Sequence, residues 1–303
     1  MGLAHSLRYI KKHPLGGWPG LGRFVRWQFG TRILGNHLVV MPWIDGTYLA
    51  LNRGMQGASG NLYCGLHEYR DMAFVMDLIS PGDLFVDIGA NVGTYTVIAS
   101  GVCGAHTVAF EPVELAYQRL QRNVRINDLG GLVEAINSGV SDRDGVIEFT
   151  VNSDTTNRVV NANERRTGLN KAETNELPVV RLDTALAGRE PTLMKIDVEG
   201  WELPVLAGAT KVLVGEKLLA CIIEVNDSAL EYGFDPKSIL LTLREHGFEP
   251  FDYDPASQRL QDWKGGDGTN VLFVRDATQV RQRLESAPNR RVLGESLRPS
   301  DVV

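Results

Sequence analysis

Apolar runs of about five residues recur along the middle of the chain, separated by stretches in which apolar positions return every three or four residues. The spacing predicts strand 84–88, helix near 94–100, strand 106–110, helix 114–126, strand 132–137, strand 192–197, helix 201–213, strand 218–225 and helix 236–246. Strands alternating with helices imply βαβ units and a parallel sheet. "LFVDI", "LMKID" and "LLACIIEV" are almost continuously apolar, as strands covered on both faces should be. "FEPFDYD" and "NVLFVRD" have no helical pattern between them and should add antiparallel strands at one edge. The expected fold is α/β, an open, doubly wound, mostly parallel sheet of seven strands.

Outside this core the pattern changes. "HLVVMPWIDGTYLALNRG" reads as two short strands around an Asp-Gly turn, and "HEYRDMAFVMDLISPGD" as a helix that stops at Pro81-Gly82. Residues 152–178 are polar and rich in Asn and Thr, which suggests a long loop, either near a substrate or partly mobile. The expected organisation is an N-terminal extension over 1–60, a main domain over 61–280 and a flexible tail over 281–303, with the tail starting as a fraying helix.

Charge is unevenly placed. No acidic residue occurs from Met1 to Trp43, where Arg8, Lys11, Lys12, Arg23, Arg26 and Arg32 are interspersed with Trp18, Phe24, Trp27 and Phe29. Such a segment over residues 1–35 could lie on an anionic membrane or clamp an acidic substrate; the reading preferred is a helix whose aromatic face packs on the main domain. Over all 303 residues the net charge is −6, which opposes a general nucleic-acid binder. The 43% hydrophobic content suffices for one sizeable core. Cys64, Cys103 and Cys221 are scattered, with no CxxC pair, and fit a reduced compartment. With no apolar run near about 18 residues and no secretory apolar region, a cytoplasmic protein is expected.

"FVDIGANVGTYT" leads from the first core strand into a turn, the usual ligand cradle of such a sheet. Dinucleotide loops carry glycine at positions 1, 3 and 6, whereas Gly89, Asn91 and Gly93 fall at positions 1, 3 and 5. Asn tolerates the left-handed backbone, so Asn91 keeps the turn and adds a polar side chain. Asp87 should point a carboxylate at the ligand, opposing a pyrophosphate and welcoming an ammonium or sulfonium. Glu111, eighteen residues after Gly93 in "VAFEP", can accept hydrogen bonds from a ribose diol. A cationic nucleoside with a ribose diol and no phosphate describes S-adenosylmethionine. The bland alternative makes both acids solvated loop residues.

A second acidic cluster lies in "LMKIDVEGWELPVLAGA". Glu202 favours the helix N-terminus there through the dipole. Asp197 should lie at the carboxyl edge beside the first strand. Glu224, inside the buried run "CIIEVND", must either pair with a cation such as Lys195 or Arg244 or face the cleft.

"PGDLFVDIGANVGTYT", "AFEP", "SGVSDRDG" and "LMKIDVEGWELPVLAGA" together resemble the successive motifs of the FkbM-type S-adenosylmethionine-dependent methyltransferases, over roughly residues 60 to 275. The resemblance implies a class I, Rossmann-like fold and methylation of hydroxyls on sugars, glycans or natural products. By matching position, Asp87, Gly89, Asn91 and Gly93 would hold the methionine part, Glu111 the ribose, and Ser141 with Asp142 the adenine, with Ala90, Pro112 and Asp197 also among the cofactor-binding positions. Asp197 and Glu199 would belong to the active-site motif.

A neutral alcohol needs a base or a metal to take its proton. Asp197 is the first candidate base, with Glu199, Glu224 and His67 as second candidates. His67 lacks the partner histidine of a zinc motif, and a structural role for it is preferred. Asp197, Glu199 and Glu224 could instead gather a divalent cation, which is not the favoured reading. The rivals are a nicotinamide-dependent oxidoreductase and a non-catalytic module that binds the nucleoside.

Overall fold

The chain opens with helices α1 (Leu3–Lys12) and α2 (Gly17–Ile33), the hairpin strands β1 (Val39–Pro42) and β2 (Tyr48–Leu51), and helices α3 (Gln56–Cys64) and α4 (Tyr69–Leu78). In this computed structural model, residues 3–33, 35, 37–150, 159–160, 174–265 and 270–298 are described. The hairpin turn has Asp45 at φ 43° and Gly46 at φ 87°, the two positive values that an Asp-Gly turn supplies most easily.

The core then alternates as the apolar spacing predicts. Strand β3 (Leu84–Ile88) leads to α5 (Thr94–Thr96), which continues as a π-helical turn over Val97–Val102; β4 (His106–Phe110), α6 (Glu114–Ile126) and β5 (Val133–Ile136) follow. Helix α6 buries Ala116, Leu120, Asn123 and Val124, a stripe at helical spacing. Next come β6 (Gly139–Val140), β7 (Gly145–Thr150), β8 (Thr174–Val180), α7 (Leu182–Leu186), β9 (Leu193–Ile196), α8 (Glu202–Ala207), α9 (Thr210–Val214) and β10 (Ala220–Glu224). A 3-10 turn over Asp227–Tyr232 precedes α10 (Lys237–Glu245), β11 (Glu249–Asp254), β12 (Arg259–Asp262), β13 (Asn270–Val274), α11 (Ala277–Glu285), β14 (Arg291–Val292) and β15 (Glu295–Ser296).

The main sheet has the order β12-β11-β13-β10-β9-β3-β4-β5. Strands β5, β4, β3, β9 and β10 are mutually parallel, and β13 enters antiparallel between β10 and β11. The sheet is therefore open and doubly wound, as expected, but holds eight strands instead of seven. The extra strand is β12, which hairpins onto β11 at the edge.

Four further differences have identifiable causes. A small sheet, β6-β8-β7, stands beside the main one, so Thr174–Val180 is a strand within the expected loop 152–178. Of the rest of that loop, 152–158 and 161–173 lie outside the described residues. The helix expected over 201–213 breaks at Gly208, which packs so closely on the Ser141 carbonyl that a Cβ there would come within 2.0 Å of its oxygen. Asp183 caps the second piece, accepting from the backbone N–H groups of Lys211 and Val212.

The third difference is the tail, ordered over 281–298 where flexibility was expected. Val292 and Leu297 are buried, Leu293 N–H donates to the Trp43 carbonyl at 2.8 Å, and Arg298 pairs with the buried Asp77. The fourth is the N-terminus, which forms two helices, and α2 buries Phe24 and Trp27 while leaving Trp18 and Phe29 exposed. The expected single aromatic face is thus split between core and surface. No described helix is long and apolar enough to cross a membrane.

Candidate active site

On one face of the main sheet the apolar layer gives way to polar residues at the carboxyl ends of the strands. Phe85, Leu193 and Ile222 are core residues, and two positions further along the same strands stand Asp87, Lys195 and Glu224. Asp87 is the cross-strand partner of Lys195, and Glu224 of Asn270 on β13. A cavity of about 260 Å³ opens at this level. It is lined by Asp87, Gly89, Ala90, Asn91, Glu111, Pro112, Asp197, Glu199, Glu224 and His67 of the predicted residues; Gly93, Ser141 and Asp142 do not line it.

The glycine loop is shaped by close contact. Gly89 has φ 79°, and a Cβ on it would lie 1.9 Å from the Asp197 carbonyl oxygen, so the two motif turns touch there and only glycine fits. Asn91 has the positive φ of 51° expected of it. Its backbone N–H donates to Glu111 Oε2 at 2.9 Å, while Val113 N–H donates to Glu111 Oε1 at 2.9 Å. Glu111 thus ties the loop to the end of β4. Gly93 instead starts α5 with φ 83° and packs against Leu120.

Carboxyls outnumber cations in the cavity, and burial dominates their behaviour. Asp87, bonded by Thr96 Oγ1 at 2.6 Å, is pushed up to about 6 by burial, with Lys195 opposing the shift. Glu111 is raised to about 7 by burial, opposed by its two backbone donors. Glu224 rises furthest, to about 9, from burial and then the charges of Asp197, Glu199 and Glu202; its Oε2 is buried without a hydrogen-bond partner. At neutral pH the Glu224 carboxyl is therefore protonated.

Lys195 is the buried cation among these acids, and its Nζ lies 2.6 Å from Asp197 Oδ2. Burial alone would lower its pKa, but Asp197 and Glu68 outweigh that and hold the ammonium above its ordinary value. Neither cation considered for Glu224 bonds it: Lys195 takes Asp197, and Arg244 takes Glu249 at 3.1 Å. Glu224 faces the cavity instead.

His67 forms part of the wall. Its Nδ1 shares a hydrogen bond with Tyr9 Oη at 3.0 Å, its backbone N–H donates to Asn61 at 2.7 Å, and burial lowers its pKa. It anchors α1 to the cavity rim. Glu202 Oε1 accepts from Val198 N–H at 3.2 Å and Gly200 N–H at 3.1 Å, so it shapes the turn after β9. Ser141 is buried behind the cavity, where its Oγ meets Trp201 Nε1 at 3.2 Å and donates to Asp142 at 3.0 Å. The nearby lining comes from Gly139 and Val140, two residues earlier. Among the described residues, Asp197, Glu199 and Glu224 do not converge as a metal-binding group.

Sequence reasoning missed a polar cluster on the far wall. Tyr95 Oη donates to Glu68 at 2.9 Å, Asn270 Nδ2 donates to Glu68 at 2.8 Å and to Asp71 at 2.9 Å, and Lys195 sits 4.7 Å from the Tyr95 ring centre. Lys195 carried the same signal as Glu224, a charge within an apolar strand. Asn270 carried none.

An open, mostly parallel α/β sheet with a glycine turn after its first strand and acids at its carboxyl edge is a Rossmann-like protein. Residues 87–250 match the family described as the methyltransferase FkbM domain, and the chain belongs to that family of methyltransferases. It is 29% identical over 170 residues to the hexuronic acid methyltransferase AglP of Haloferax volcanii, covering 54% of this chain and 62% of that protein. It is 31% identical over 199 residues to the 31-O-demethyl-FK506 methyltransferase FkbM of Streptomyces tacrolimicus, covering 56% of this chain and 74% of that protein. The match thus spans less than two thirds of AglP. A solved methyltransferase FkbM from Methylobacillus flagellatus superposes with TM-score 0.43 at 18% identity, over 65% of this chain and 44% of that one.

Proposed function

We propose that this chain is an S-adenosylmethionine-dependent O-methyltransferase acting on a hydroxyl of a sugar, glycan or natural product. The observation that carries the cofactor assignment is the pair of buried acids at the glycine turn: Asp87 and Glu111 line the cavity and are both raised by burial, and a cationic ligand relieves each of them. Glu111 spends one lone pair of each oxygen on a backbone N–H, which leaves acceptor capacity for a ribose diol. Gly89, Ala90 and Asn91 bring backbone close to the methionine part, and Gly139 and Val140 replace Ser141 and Asp142 as the wall proposed for adenine. The names of the relatives, one acting on a hexuronic acid and one on 31-O-demethyl-FK506, support a sugar or natural-product acceptor. Membership of a methyltransferase family leaves the nicotinamide alternative without support.

Bound in the cavity, the sulfonium supplies an activated methyl carbon on a neutral leaving group. Lys195 fixes Asp197 through Oδ2, and Oδ1 is left to accept the proton of the acceptor hydroxyl. Glu224, protonated near neutrality, acts as a hydrogen-bond donor that orients an oxygen, which removes it from the candidate bases. Holding oxygen, carbon and leaving group in line accounts for much of the rate effect. Calorimetry with S-adenosylmethionine and with NADH tests the cofactor, and heat with NADH alone would overturn the assignment. Transfer of labelled methyl to a panel of sugar and natural-product hydroxyls tests the acceptor class and separates an enzyme from a binding module. Asp197→Asn tests the base: full turnover by this variant would remove Asp197 from that role.

A further inference from the structure

Helix α2 has two apolar faces, and only one is used. Gly20, Phe24, Trp27 and Thr31 are buried against the rest of the molecule. Trp18, Val25, Phe29 and Ile33 are 85%, 48%, 61% and 81% exposed. At about 100° per residue these four fall within an arc of roughly 80° on the opposite side. The exposed Arg32 borders that arc on one side and the exposed Arg26 on the other. Arg8, Lys11 and Lys12 of the adjoining α1 are exposed as well, and no acidic residue precedes Asp45.

Four large apolar side chains in a row on a water-facing helix are an unfavourable arrangement unless something covers them. What covers them must tolerate tryptophan and phenylalanine beside a dense positive field that no local acid neutralises. We propose that α2 docks this protein on an anionic lipid surface, with Trp18, Val25, Phe29 and Ile33 entering the boundary between headgroups and acyl chains. Arg26 and Arg32 then meet lipid phosphates along the two borders of the stripe, and the cations of α1 add to the attraction. Phe24 and Trp27 hold the helix on the body of the protein, so docking needs no unfolding. The face is separate from the acid-rich cavity, and the inference holds whatever acceptor the cavity takes.

The test mixes the full chain with vesicles of phosphatidylcholine alone and of phosphatidylcholine containing phosphatidylglycerol, and reads the bound fraction by sedimentation. Binding to the anionic vesicles alone is expected, weakening as salt is added. Arg26→Gln with Arg32→Gln should bind about thirtyfold more weakly, and Phe29→Ser with Ile33→Ser about tenfold or more. All four substitutions fall on exposed side chains, and unchanged circular dichroism confirms that the variants are folded. No binding to anionic vesicles at low salt overturns the proposal, as does equal binding to neutral ones or undiminished binding by both double variants. A dimer in light scattering that Phe29→Ser with Ile33→Ser disperses assigns the face to a second copy and also overturns it.

Discussion

The two faces of the central sheet part company at the same height. On one, Ile88, Phe110, Ile196 and Ile223 continue the buried apolar layer to the carboxyl ends of the strands. On the other, Asp87, Lys195 and Glu224 interrupt it, and Glu68, Asp71, Tyr95 and Asn270 close around them. Neighbouring residues of one strand therefore serve opposite ends, because successive side chains point to opposite faces. One face contributes stability at its strand ends. The other gives up apolar contact there for a charged cavity, at a cost visible in the raised carboxyl pKa values.

Substitutions on the two faces should separate those roles. The largest effect is expected from Lys195→Met, which leaves the buried acids without their ammonium and should cost about 3–5 kcal/mol, read by denaturant unfolding. Unchanged stability would break the view that Lys195 holds the acidic face together. Ile223→Ala, on the apolar face, should cost about 3 kcal/mol in the same measurement. Its affinity for S-adenosylmethionine should stay as in the parent, and a large loss of affinity would mean that the faces are coupled. Glu111→Gln should weaken S-adenosylmethionine by about tenfold to a hundredfold in calorimetry and, because an amide nitrogen cannot accept from the Asn91 or Val113 N–H, should also cost about 1–3 kcal/mol in unfolding.

The smallest effect is in pH. Asp87 and Glu111, raised to about 6 and about 7, ionise in this range and favour a cation, so S-adenosylmethionine should tighten by about tenfold between about pH 6 and about pH 8. S-adenosylhomocysteine, neutral at sulfur, should respond much less. The unliganded protein should move the other way. The folded pKa of Glu224, about 9, lies above its ordinary 4.5, so its contribution is fully present below the ordinary value and is lost as pH rises towards about 9. A thermal unfolding series across that range, with and without S-adenosylmethionine, reads both trends.

Much of this was legible in the chain because the signals are local. Strand β4 and helix α6 fall on their expected boundaries, since each is set by its own apolar spacing within a dozen or so residues. Asn91 and Gly89 were legible for the same reason, as a turn imposes its backbone on the residues that make it. That Gly139 and Val140 line the cavity, and Ser141 and Asp142 do not, was not legible, because β6 turns into the small sheet, whose partner strands β7 and β8 gave little sequence signal. The packing of the tail was not legible because it rests on burial of Val292 and Leu297, and on Arg298 against Asp77, with partners far away in sequence.

The sequence by itself determined the alternation of strands and helices, the glycine turn and the acids at the strand tips, since strand period and turn chemistry need only near neighbours. Only the tertiary structure decided that Lys195 takes Asp197 and leaves Glu224 unpaired, and that Asn270 reaches Glu68 across 202 positions. The same is true of α2, where the body of the protein covers Phe24 and Trp27 and leaves Trp18 and Phe29 in water. Pairing and burial depend on which strands become neighbours and which face is covered, and those are properties of the packed chain as a whole.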